Sequence, residues 1–259
     1  FSTPGAAVFI AAGGEDIITT DRTGNAGYAA GDYIYFAGTS AAAPVVSGLI
    51  ALMLEANGSL GWRDVQQILA YSAQHNDPGS AGWQYNGAGN WNGGGLHFSH
   101  DYGFGAADAF RAVRLAETWT LQQTSANMES VSAAAAPSLS IPATGTVQTA
   151  INITEDIAIE RILVDLDISH ARAGDLVVTL ISPDGTESVL VNHPVGSSGG
   201  AFTSIYGVTG IDFEMSSNAH RGESSQGTWT LRIEDTVSGG SGRLDSWGLT
   251  FLAAGQTPD

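Results

Sequence analysis

Ser40 stands among small residues in Gly38-Thr39-Ser40-Ala41-Ala42-Ala43-Pro44, just ahead of the apolar run Val45 to Leu54. Small neighbours let another chain approach the hydroxyl closely. A helix starting at the serine would offer unpaired backbone N–H groups, and the positive end of its dipole, to whatever the hydroxyl attacks. Such donors stabilise the oxyanion that forms when a serine adds to a carbonyl. Pro44 has no N–H to donate, a loss the first helical turn tolerates best, so the helix is expected to begin close to Ser40. The run beyond it is apolar all round and predicts a helix buried in a core. A Gly-Thr-Ser string also fits a serine that only caps a helix. The string is not the Gly-x-Ser-x-Gly elbow, because Ala42 holds the fifth position.

Other reactive side chains read as structural. His97 and His100 flank Phe98-Ser99 in an apolar setting and are expected to pack. His75, His170, His193 and His220 lie in loop-like surroundings and are expected to be solvated. No His/Cys spacing suggests zinc. Asp165, Asp167, Asp175, Asp184 and Asp212 are candidate calcium ligands, since calcium takes carboxylate and carbonyl oxygens in turns. No EF-hand string occurs, so no metal site is assigned. Arg63 with Asp64, and Arg111 with Arg114, are expected on exposed helix faces in weak ion pairs. Trp62, Trp119, Trp229 and Trp247 are expected to pack in a core or between domains. Trp83, Tyr85 and Trp91 sit in a Gly/Asn loop, where they either pack or line a groove. Asn57-Gly58-Ser59 and Asn152-Ile153-Thr154 match the glycosylation string.

The elements that must position Ser40 come in two styles. Ala6 to Ala12 and Asp16 to Thr20 read as short buried strands, and Tyr33 to Phe36 as a strand feeding the serine turn. The helix after Ser40 runs to about Asn57. A second spans about Trp62 to Ser72, with Val65, Ile68, Leu69 and Ser72 on one face and Arg63, Gln66 and Gln67 away from it. A third covers Ala106 to about Glu117, with Ala109, Val113 and Ala116 facing in. From Thr118 onward no helical period persists. Alternating stretches recur at Thr146 to Ile153, Ile157 to Asp167, Leu176 to Ile181, Ser188 to Val191, Gly227 to Glu234 and Leu244 to Leu252. Pro183-Asp184-Gly185-Thr186 marks a turn between two of them. Ala133 to Ala136 reads as a loop or a weak helix. The fold class is therefore α/β followed by an all-β antiparallel sandwich. The expected domains are 1–117 and 118–254, with a tail at 255–259.

The 259 residues carry 43% hydrophobic and 14% charged side chains, ample for a core. The net charge is −17, and all nine basic residues are arginine. Such a surface repels nucleic acid and anionic membranes, so neither is an expected partner. There is no cysteine and hence no disulfide. No run approaches the ~20 apolar residues that span a bilayer. The chain opens on Phe1, not Met, and reads as cut at that end.

Gly38-Thr39-Ser40-Ala41-Ala42-Ala43-Pro44 resembles the nucleophile motif of subtilisin-like serine proteases. Ile18-Thr19-Thr20-Asp21, Leu54-Glu55-Ala56-Asn57, Trp62-Arg63-Asp64-Val65-Gln66 and Ser99-His100-Asp101-Tyr102-Gly103-Phe104-Gly105 resemble the kexin/furin branch of that family. Gly174-Asp175-Leu176, Ser182-Pro183-Asp184-Gly185-Thr186, Gly227-Thr228-Trp229-Thr230-Leu231 and Ser246-Trp247-Gly248-Leu249 resemble its P domain (homo B domain), a jelly-roll-like sandwich. The resemblance covers nearly the whole chain. It implies a secreted, extracellular or cell-envelope serine endopeptidase, monomeric, acting on protein or peptide substrates, with structural calcium bound largely upstream. Ser40 is the implied nucleophile. The family's catalytic Asp, its His and its oxyanion Asn would lie upstream of Phe1, so this stretch alone is expected to be inactive. The alternative is a pseudoprotease, or a non-catalytic fragment whose P domain is a folding or binding module.

Overall fold

The computed structural model describes residues 2–89, 94–193 and 210–254. Trp91 and the tail 255–259 lie outside them. Internal contacts divide the chain into two units. One holds the segments up to Pro4, Phe9–Ser80 and Phe104–Thr124. The other holds Gly5–Val8, Ala81–Gly103 and the chain from Ser125 onward.

The first unit opens with an antiparallel hairpin. Strand β1 (Ile17–Thr20) pairs with β2 (Tyr33–Phe36), Ile17 opposite Phe36 and Thr20 opposite Tyr33. Apart from Ile17 and Ile34 the two strands are exposed, so the first of them is not the buried strand expected. Ala6 to Ala12 forms no strand; only Ala11 bridges, to Ala106. Helix α1 (Thr39–Ala56) follows. It starts one residue before Ser40, and Pro44 lies in its second turn rather than its first. The missing N–H of Pro44 leaves the Ser40 carbonyl without its i+4 donor.

Helix α1 is not buried all round. Ala41, Leu49 and Met53 are covered, whereas Val45, Leu52 and Leu54 are exposed. Its buried stripe joins one small core with Leu60, Val65, Ile68, Leu69, Ala112 and Ala116. Opposite that stripe, no described residue covers the apolar surface. At 18 residues α1 is the one described helix long and apolar enough to cross a membrane, by length and composition only. Asn57 closes it and ties it down: its Nδ2 donates to the carbonyls of Ala116 (3.0 Å) and Trp119 (2.9 Å).

Helix α2 (Trp62–Ser72) corrects the expected exposure of Arg63 and Asp64. Both are buried, because residues 119–124 fold back over the start of the helix. Asp64 Oδ2 accepts the N–H groups of Gly61 (2.7 Å) and Gln123 (2.8 Å), and Oδ1 accepts the Trp119 indole N–H (2.9 Å). Arg63 Nη1 donates to the Thr124 carbonyl at 2.9 Å. Gln67 is buried too, and Trp62 is exposed rather than packed in the core. Helix α3 (Ala109–Thr118) starts three residues later than expected, since the Ala106 backbone is engaged with Gln74 and Ala11. Ala112 and Ala116 face in, and Ala109 is exposed. Arg111 with Asp108 and Arg114 with Glu117 form the expected exposed ion pairs.

The second unit is a β-sandwich with one short hairpin beside it, β3 (Gln84–Tyr85) with β4 (His97–Phe98). The sandwich strands are β5 (Met128–Ala135), β6 (Leu139–Ile141), β7 (Gly145–Ile153), β8 (Ile159–His170), β9 (Leu176–Ile181), β10 (Glu187–Asn192), β11 (Ile211–Ser217), β12 (Gly227–Asp235) and β13 (Gly242–Ala254). One sheet runs β10-β9-β12-β7; the other runs β11-β8-β13-β5, with β6 also on β13. All pairings are antiparallel. Ala133 to Ala135 belong to β5, a strand and neither loop nor helix, because β13 pairs with them from Trp247 to Leu249. Trp229 and Trp247 are core residues, as their spacing predicts. Trp229 packs on Phe251 with ring centroids 5.0 Å apart and donates its indole N–H to the Ser225 carbonyl. Trp83 packs as well, stacked on Tyr102 at 5.7 Å. Tyr85 is exposed, its ring 6.3 Å from that of His97.

Candidate active site

Ser40 sits where β2 turns into α1, and Gly38 makes that turn. Its φ of 129° is a conformation that a side chain strains. Its N–H donates to the Gly14 carbonyl at 2.7 Å, and a Cβ on Gly14 would lie 2.9 Å from the Gly38 carbonyl oxygen. Gly14 is thus held by close approach, and Gly38 by its positive φ, with the nearest atom to an added Cβ 3.9 Å away. Replacing Gly38 by alanine should cost about 1–3 kcal/mol in the unit that holds Ser40. A denaturation midpoint equal to that of the wild type would contradict this.

The Gly38 carbonyl then accepts the N–H groups of Ala41 (2.9 Å) and Ala42 (3.3 Å). Among the described residues nothing accepts the N–H of Ser40 or bonds its hydroxyl, and the residue is exposed. Ser40 lines a cavity of about 720 Å³ with Ala41, Pro44, Ile17, Ile34 and Phe36. Thr20, Asp21, Arg22 and Tyr28 also border it. The site therefore offers a hydroxyl, a free backbone donor beside it and open space in front.

Asp21 borders that space without being a base for Ser40. Its Oδ1 accepts the Arg22 N–H (2.7 Å), and its Oδ2 accepts those of Tyr28 (2.6 Å) and Ala29 (2.8 Å). The Ala29 N–H, joined by those of Arg22 and Tyr28, holds this carboxyl below the usual carboxylate range. Asp21 is the anchor of the 21–32 loop, with Arg22 lying 5.4 Å over the Tyr28 ring. The Gly- and Asn-rich stretch after it is the sequence signal for that role.

The histidines divide differently from the expectation. His75 and His193 are exposed. His170 and His220 are buried, not solvated. His170 Nδ1 accepts the Arg172 N–H at 3.1 Å, so its Nε2, 3.3 Å from Asp235 Oδ2, carries the proton. His220 lies edge-on to Trp229, 3.3 Å from the Thr186 carbonyl, and desolvation pushes its pKa down to about 4. His100 is half-buried and accepts the Val189 N–H at 3.0 Å. No described imidazole bonds Ser40.

The five aspartates named as calcium ligands do not converge. Asp165 faces Glu214 and Asp167 faces Asp212 across β8 and β11, Asp175 pairs with Arg172 at 2.8 Å, and Asp184 lies in the β9–β10 turn. Among the described residues no three His, Asp or Glu side chains are placed to hold a metal ion.

Comparison with known proteins finds two family matches along the chain. Residues 1–105 match the model of the subtilase family, and residues 159–251 that of the proprotein convertase P-domain. The rat (Rattus norvegicus) proprotein convertase subtilisin/kexin type 6 is 35% identical over 85% of this chain and 23% of its own length. The protease KEX1 of Kluyveromyces lactis is 30% identical over 86% of this chain and 28% of its own. The chain thus spans about a quarter of the length of these two relatives. A crystal structure of the serine protease of Aeromonas sobria superposes with a TM-score of 0.83 at 26% identity, over 97% of this chain and 55% of that one. The subtilase and P-domain matches, with relatives of the kexin and proprotein convertase type aligned over most of the chain, make it a member of the kexin branch of the subtilisin-like serine proteases.

Proposed function

We propose that this chain carries the nucleophile of a serine endopeptidase of the subtilisin/kexin type, and that polypeptide upstream of Phe1 supplies the His and Asp of the triad. The observation that carries this reading is the exposed, unbonded Ser40 hydroxyl at the mouth of a cavity, inside the block that matches the subtilase family. An upstream His takes the Ser40 proton as the oxygen adds to a peptide carbonyl. An upstream Asp orients that His. The Ser40 N–H and an upstream Asn hold the oxyanion, the amine leaves, and water hydrolyses the acyl-enzyme. The substrate class is protein or peptide, and the place of action is extracellular or the cell envelope. Structural calcium belongs to this reading, with ligands largely upstream.

The absence of any base bonded to Ser40 among the described residues favours a second reading, a non-catalytic module. Reading the gene upstream of Phe1 and expressing the longer protein with calcium separates the two. A fluorophosphonate probe should label the longer wild type at Ser40 and leave the 259-residue chain unlabelled. A folded longer protein that stays unlabelled, or an upstream stretch without Asp and His, leaves only the second reading.

A further inference from the structure

Strand β10 is an edge strand of its sheet, and edge strands present backbone groups that no neighbouring strand satisfies. Its register against β9 shifts between Val189 and Val191, which opens a bulge at Leu190. At that bulge the Val189 N–H donates to His100 Nε2 at 3.0 Å. His100 belongs to the segment that follows β4. Its carbonyl accepts the Gly5 N–H at 2.9 Å, and its ring sits edge-on to Phe98 with centroids 6.1 Å apart. An Nε2 that accepts a hydrogen bond carries no proton, so this imidazole is neutral with its proton on Nδ1. A second proton would set an N–H against the Val189 N–H.

The geometry points to His100 as a proton-operated catch on the sandwich: neutral, it fastens the segment after β4 to the edge of β10; protonated, it releases that edge. The charged groups around it are few. Asp101, beside it in the chain, favours the protonated ring. His220, from the turn after β11, is itself disfavoured as a cation by His100. On β10, Glu187 is engaged by both terminal nitrogens of Arg232, at 2.8 and 2.7 Å. Glu223 accepts the Gly87 N–H at 2.8 Å and the Thr186 hydroxyl. Burial outweighs Asp101 and holds His100 below the ordinary histidine value of 6.5. A depressed histidine stabilises the folded state above the ordinary value and loses that contribution as pH falls through the folded one. The catch is therefore closed at neutral pH and opens on acidification.

Amide exchange across the full chain tests this. Between about pH 7.5 and pH 5, protection of the Val189 amide should fall roughly tenfold more than that of Val178 in the central strand β9, after correction for intrinsic rates. His100→Gln keeps a neutral acceptor that does not titrate, so its Val189 protection should stay level with Val178. An equal fall in wild type and variant, or no fall in the wild type, overturns the proposal. Should the variant fail to fold, the wild-type titration still decides. The Val189 amide shift must move with the midpoint of the His100 ring, below 6.5. Separate midpoints overturn it.

Discussion

On the proposed function, alanine at position 40 of a longer protein that carries the proposed His and Asp should lower kcat by about a million-fold, the scale set by removing a triad serine in subtilisin. KM should change little, because the hydroxyl acts on the scissile carbonyl and adds little to ground-state binding. Oxyanion donors and substrate binding would leave a residual rate above that of water. Among the described residues nothing bonds the exposed Ser40 hydroxyl, so the substitution is expected to remove chemistry and not structure. The check is a pair of measurements on one sample, peptide hydrolysis and the thermal midpoint. Activity within tenfold of the wild type would assign the nucleophile elsewhere. A collapse of the midpoint would give Ser40 a structural role.

The largest loss of stability is expected at Asp64. Its carboxyl receives three N–H groups, from Gly61, Gln123 and the Trp119 indole, and is fully buried. Alanine there orphans all three. Each buried donor left unmade costs about 1–3 kcal/mol, and relaxation brings the expected total to about 3–5 kcal/mol. That is a large share of a stability of about 5–15 kcal/mol. Asparagine keeps an acceptor oxygen in the same place and should lose less than alanine. Trp119 fluorescence under chemical denaturation reports the site directly, since its indole is one of the donors. A loss under about 1 kcal/mol for Asp64→Ala would mean that water replaces the carboxyl.

These two residues show what the sequence makes legible. Ser40 is readable because its turn is local: a positive-φ glycine, small neighbours and a helix start all lie within a few positions. Long strands with one buried face are readable for the same reason, and β7, β8 and β12 alternate as expected, whereas Val178, Thr179 and Leu180 of β9 are all buried. Asp64 is not, because its partners Trp119 and Gln123 are more than fifty residues away in the chain. Nothing in Arg63-Asp64 itself distinguishes a buried capping carboxyl from a solvated ion pair. The alanines of β5 have little strand propensity, and pairing with β13 overrides it. His170 and His220 look like loop residues until strands close around them. The apolar circumference of α1 indicates burial, yet in this chain only one stripe of it finds partners.

The ladder between β8 and β11 sets Asp165 against Glu214 and Asp167 against Asp212. Like charges directly opposite push two strands apart, and none of these four carboxyls has a basic partner among the described residues. Backbone hydrogen bonds hold β11 in place against its own side chains. Solvent ions screen such a repulsion within about 8 Å at physiological strength and more closely as salt rises. The attachment of β11 is thus tuned by the surrounding electrolyte: this edge of the sandwich tightens in brine and loosens in dilute buffer.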